Sequence, residues 1–161
     1  MSRELIFEWI LRIALGGFFI WSGGMKLLDL SAFTEAVGNF QFPMEERLPG
    51  DLEASFKAPG DAYIAYLLPW VEIFAGLAVL SGFGKMAGLV ILGGMLVSFN
   101  LALWSAWDRG IVDLACGCHG ASDEPTNFAM KIGSNFGLMA VILVIFGLMW
   151  FQRRVSYKDL T

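Results

Sequence analysis

Charge is scarce in this chain, and so are the residues that most often carry chemistry. Asp, Glu, Lys and Arg together make up 16 % of it, with one histidine and two cysteines. There is no basic run or stripe, and the net charge of −4 comes largely from one acidic loop. A nucleic-acid surface is therefore excluded. The first apolar stretch lacks a small-residue cleavage site after a short core and runs on to full spanning length. A cleaved signal peptide is not expected, and no terminal lipidation signal is evident.

In place of charge the chain has apolar sequence. Hydrophobic residues account for 57 % of its 161 positions, with Gly 19, Phe 14 and Trp 6, more than a soluble domain usually carries. Their arrangement matters more than their number. They fall into four blocks, each near the roughly 20 residues that a membrane-crossing helix needs. The expected fold is all-α: an integral membrane four-helix bundle forming a single transmembrane domain over 1–161. Spanning helices are expected at about 4–28, 62–82, 85–107 and 127–151, joined by loops at 29–61 and 108–126. Within the first loop, Ser31 to Asn39 reads as a short surface helix with Phe33, Val37 and Phe40 on its wet–dry boundary. Only Ser81 to Gly84 separates the second and third spans, which must form a tight antiparallel hairpin.

Basic residues orient the bundle. Arg3, Lys85, Arg153, Arg154 and Lys158 lie on one face; Lys26, Arg47, Lys57 and Arg109 lie on the other, diluted by seven acids from Asp29 to Asp61. Counting Lys and Arg near the helix ends puts both termini in the cytoplasm. The loop with both cysteines then faces the periplasm or exterior of an inner-membrane protein, where disulfides persist. Trp9, Trp150 and Phe151 suit one aromatic belt, and Tyr63, Tyr66, Trp104 and Trp107 the other.

Charges inside a span cost at least about 2.5–3.5 kcal/mol each, so each needs a reason. Counted from the helix ends, Arg12 and Glu72 fall at comparable depths. They are expected to meet as a structural ion pair or a proton relay, with Glu8 sharing Arg12 across one turn. Pro69, three residues before Glu72, is expected to bend its helix and free a carbonyl. A second polar group lies in the half of the bundle beneath the cysteine loop. It comprises Ser22, Lys26, Asn100, Lys131, Ser134 and Asn135, with Asn127, Lys131 and Asn135 on one stripe of the last helix. Gly16, Gly17, Gly23, Gly24, Gly76, Gly93, Gly94, Gly133 and Gly137 allow close helix contact or leave space for a flat ligand. The group reads either as interhelical hydrogen bonding or as a ligand pocket.

Cys116-Gly117-Cys118-His119-Gly120 is the most chemically specific segment. A disulfide between residues two apart needs a tight turn, which Gly117 permits. The ring would be small and strained, which favours exchange over a structural role, and it closes almost no loop. His119 is placed to hold a proton or steady a thiolate, and Lys131 to lower a thiol pKa. Two other readings stay open: a Cys-Cys-His copper or zinc site, which lacks an obvious fourth ligand, and an inert or partner-bonded pair. Covalent haem attachment needs C-x-x-C-H, and this loop is one residue short.

With Arg12, Gly16, Ser22-Gly23 and Lys26 in the first span, and Pro69, Glu72 and Gly76 in the second, the chain resembles the DoxX/MauE family of small four-helix membrane proteins. The Cys-Gly-Cys-x-Gly loop followed by Lys131 and Asn135 is similar to the MauE branch in particular. His119 stands where that branch has an aromatic residue, and Lys131 where it has an arginine. The resemblance implies thiol–disulfide exchange outside the cytoplasm. Cys116, Cys118 and His119 would be catalytic, and the partner a periplasmic thioredoxin-like or cysteine-rich protein. It also implies a membrane quinone as electron carrier; the polar group of Lys26, Asn100, Lys131 and Asn135 is expected to line its pocket. The alternatives are a non-catalytic small subunit or assembly factor of a larger membrane redox complex, or a Cys/His metal-handling protein.

Overall fold

The computed structural model describes residues 3–38, 60–110 and 128–158. They form five helices: α1 (Arg3–Leu28), α2 (Leu30–Gly38), α3 (Gly60–Ser81), α4 (Lys85–Asp108) and α5 (Phe128–Lys158). Four are long and apolar enough to cross a membrane, with spans at Leu5–Leu28, Tyr63–Ser81, Lys85–Asp108 and Ala129–Gln152. At 1.5 Å per residue these runs cover about 28–36 Å, the thickness of a bilayer core. The expected bundle is present, and its burial pattern suits lipid. Leu67, Phe74, Leu101, Trp104 and Leu143 are more than 60 % exposed, whereas Glu8, Arg12, Ser22, Lys26 and Glu72 are buried. Two expected boundaries move. The helix of the second span, α3, starts at Gly60, and α5 continues to Lys158, because a helix can run on past the last residue that hydrocarbon requires.

The α3–α4 hairpin turns on Gly82 and Gly84, with φ of 81° and 73°, a left-handed conformation that only glycine adopts without strain. The Gly82 N–H closes the last turn of α3 onto the Ala78 carbonyl at 3.2 Å. α1 packs along α3 through small residues. A Cβ on Gly16 would lie 2.8 Å from the Gly76 carbonyl oxygen, and one on Gly23 would lie 2.7 Å from that of Pro69. Pro69 sits inside a continuous α3. Lipid offers no hydrophobic drive for helix association, so contact this close is what van der Waals packing requires.

α2 begins at an N-cap: Asp29 Oδ1 accepts from the Ala32 N–H and the Ser31 hydroxyl, both at 3.1 Å, satisfying a donor that a first turn leaves open. Phe33 and Val37 are buried against Ala65, with Leu68 alongside. The short helix expected in this stretch is therefore packed on the bundle rather than lying at a wet–dry boundary. Phe40 is outside the described residues.

The apolar core occupies the half of the bundle nearer the α3–α4 turn. Leu15, Phe19, Val79, Leu92, Ile145 and Met149 meet there from all four spans. In the other half the helices enclose open space.

A charged cavity at the open end of the bundle

A cavity of about 480 Å³ lies among α1, α3, α4 and α5. Its apolar walls include Phe18, Phe19, Leu96, Phe99, Met130 and Leu138, and its polar groups are Ser22, Lys26, Glu72, Lys131, Ser134 and Asn135. Lys26 and Glu72 are 2 % and 1 % exposed. The Lys26 ammonium donates to Glu72 Oε1 at 2.5 Å and to the Ser22 hydroxyl at 3.3 Å. The rings of Phe33 and Phe99 lie 5.4 and 5.5 Å from the same nitrogen, within cation–π range. Every charge of this pair is thus met by protein rather than water. One atom is an exception: Glu72 Oε2 is buried and makes no hydrogen bond among the described residues.

Asn135 Nδ2 donates to Asn100 Oδ1 at 3.1 Å, and Asn100 Nδ2 points to the Met139 sulfur at 3.8 Å. The two amides tie α4 to α5. Of the four residues expected around a carrier, Lys26, Lys131 and Asn135 line the cavity, and Asn100 stands behind Asn135 as its hydrogen-bond partner.

The expected Arg12–Glu72 pair does not form. Arg12 Nε donates to the Val79 carbonyl at 2.9 Å and Nη2 to the Leu80 carbonyl at 3.3 Å. These are last-turn carbonyls of α3 without helical partners, at the negative end of its dipole. Glu8 Oε1 lies 3.9 Å from Arg12 and 3.1 Å from the Lys85 ammonium, and the guanidinium stacks 4.6 Å from the Trp9 ring. The reason is stagger. α1 overshoots the end of α3 by about two and a half turns, so Arg12 stands level with Leu80, whereas Gly23 stands level with Pro69. Depths counted from helix ends assume that the ends are level. Arg12 belongs to the hairpin, and Lys26 is the partner of Glu72.

Cys116, Cys118 and His119 lie outside the described residues. In sequence they fall between the end of α4 and the start of α5, the ends that contribute Leu103, Met130 and Lys131 to the cavity.

Four apolar spans around buried, mutually neutralised charges define a multi-pass membrane protein. The chain matches the family described as methylamine utilisation protein MauE over residues 4–151, and it belongs to that family. Comparisons with curated proteins and with solved structures returned no match.

Proposed function

We propose that this protein is a membrane thiol:disulfide oxidoreductase whose Cys116–Cys118 pair exchanges with a periplasmic thioredoxin-like or cysteine-rich partner and is coupled to a membrane quinone. Both termini are cytoplasmic in this reading, and the cysteine segment faces the periplasm across the inner membrane. The observation that carries it is the cavity. A purely structural bundle has no use for open space lined by a buried ion pair, at the end from which the cysteine segment departs.

The residues present fit a quinone ring: the walls are aromatic and aliphatic, and the polar groups are confined to a few side chains, as small-molecule sites require. Lys26, Lys131 and Asn135 would hold its oxygens, with Asn100 fixing the Asn135 amide. The carrier, when bound, supplies capacity for two electrons and two protons. In the cysteine loop, His119 would take the proton of Cys118, whose thiolate attacks the partner disulfide, forming a mixed disulfide and releasing one partner thiolate. Cys116 then attacks the Cys118 sulfur, closes Cys116–Cys118 and releases the second, and the reverse sequence oxidises the partner.

The test is trapping. Cys116→Ser and Cys118→Ser are expected to accumulate mixed disulfides with a periplasmic protein, unequally, because one cysteine attacks and the other resolves. If neither variant captures a partner and the double variant retains function, the redox reading fails.

One observation favours a second reading, an accessory subunit that docks a larger membrane complex. The α5 span is the most apolar of the four and the least covered, 17 % buried against 33 % for each of the others. Co-purification of a stable membrane partner that persists after both cysteines are replaced would support it.

A further inference from the structure

We infer that Glu72 Oε2 is the acceptor for a ligand hydroxyl, so that the cavity holds a hydroquinone in preference to its quinone and electrons run from the cysteine pair to the carrier. The inference rests on the reading of the cavity as a quinone site and gives that site a direction.

Glu72 Oε2 is buried without a hydrogen-bond partner among the described residues. Buried polar atoms without a partner are rare, because each costs the desolvation of the group with nothing in return. Oε1 of the same carboxylate is committed to Lys26, and Lys26 is committed to Oε1, to Ser22 and to two rings. Glu72 also lines the cavity. A carboxylate paired with an ammonium has only acceptor capacity left. The group that completes it must therefore be a donor. A quinone oxygen is an acceptor and cannot supply one, whereas the phenolic O–H of a hydroquinone can. Asn135 spends one of its two N–H donors on Asn100 Oδ1, which leaves it fewer donors to offer a quinone oxygen.

A preference for the reduced carrier sets the direction. Cys116 and Cys118 as thiols give up two electrons and two protons and close the S–S bond; the quinone takes both electrons and both protons and leaves as hydroquinone. Tighter binding of the product form raises the potential of the bound couple. Each tenfold preference raises it by about 30 mV for two electrons. The cavity thus draws electrons out of the dithiol, and the protein generates disulfide for its partner.

The experiment uses the full chain with Cys116→Ser and Cys118→Ser, which stops electron exchange, in phosphatidylcholine nanodiscs under anaerobic conditions. Calorimetric titration compares a short-tailed hydroquinone, its quinone and its dimethyl ether, which keeps the ring but has no O–H. The hydroquinone is expected to bind at least about tenfold more tightly than either, the ratio of one hydrogen bond to a charged acceptor. In Glu72→Gln that preference is expected to vanish, since Gln can turn an N–H toward the ligand. Should that variant not fold, the three ligands on the parent chain still decide. Equal or tighter binding of the quinone overturns the inference and leaves the quinone site standing. Binding of none of the three removes the quinone site and the inference together. Loss of hydroquinone binding in phosphatidylglycerol nanodiscs overturns the inference by assigning the hydroxyl to a lipid headgroup.

Discussion

Lys26 and Glu72 neutralise one another at a depth where neither could be solvated by lipid, and that makes each dangerous without the other. Lys26→Met or Glu72→Leu alone leaves a buried, unpaired charge, a loss of about 3–5 kcal/mol for pairs of this kind. The double variant removes both charges and is expected to recover most of that loss. Thermal unfolding in detergent, followed by circular dichroism, measures all three. The same cycle run on Arg12→Ala and Glu72→Leu is expected to be additive, because the two side chains contact different groups. A coupling there above about 0.5 kcal/mol would contradict the stagger of α1 against α3. At the hairpin, Gly82 and Gly84 separate two effects that usually come together. Both have positive φ, but a Cβ on Gly82 meets Arg12 Nη2 at 2.7 Å, whereas one on Gly84 meets nothing within 4 Å. Gly84→Ala bears only the strain of a left-handed alanine, about 1–2 kcal/mol. Gly82→Ala is expected to cost distinctly more in the same unfolding assay, by displacing the guanidinium from the Val79 and Leu80 carbonyls.

The helices themselves are held by surfaces of unequal quality. Gly16, Gly23 and Gly76 let α1 and α3 touch backbone to backbone, and Gly88 does the same for α4 against the Ala75 carbonyl at 2.8 Å. Gly17, Gly24, Gly93, Gly94, Gly133 and Gly137 have open space where a Cβ would stand. Gly16→Ala and Gly23→Ala are therefore expected to lower the melting temperature by forcing α1 off α3. Gly17→Ala is expected to leave it unchanged or raise it, since alanine is the better helix former by roughly 0.5–1 kcal/mol. Equal effects at Gly16 and Gly17 would mean that the seam is not where it is drawn. The spans were legible in the sequence because hydropathy and length are strong local signals. α2 was legible too, from Phe33 and Val37. The sorting of nine glycines into seam and open faces was not, because glycine spacing says nothing of which face meets a neighbour. Gly88 carries no more signal of its contact with α3 than the others, for the same reason. Lys26, Lys131, Asn100 and Asn135 were legible as one group, since their distances from helix ends put them in the same half. The pairing of Glu72 with Lys26 depends on how far one helix slides past another. That slide is set by the Gly16–Gly76 and Gly23–Pro69 contacts, which no single helix encodes. The aromatic walls gave no signal at all, since a phenylalanine facing a cavity and one facing lipid look alike in sequence.

The whole bundle divides at Phe19 and Leu96, with packed core toward the α3–α4 turn and open cavity toward the end of α4 and the start of α5. That division lets the two halves of the proposed reaction be separated. Partner exchange needs only the cysteine segment and an exposed thiol, whereas communication with a carrier needs the cavity. Gly137 is the place to block one without the other, because it lines the cavity and a side chain there meets no backbone within 4 Å. Gly137→Phe projects a ring from a helix already dominated by apolar residues, so the span stays intact and only the free volume shrinks. In this variant the mixed disulfide with the partner, trapped in a Cys→Ser background, is expected to form at the parental yield. Calorimetric binding of the hydroquinone is expected to fall by at least about tenfold, the loss of one kept contact of 1.4 kcal/mol. Retention of full ligand affinity would show that the carrier sits elsewhere on the molecule. Loss of partner trapping together with ligand binding would show that the cavity shapes the cysteine segment itself, and the two halves would then have to be treated as one site.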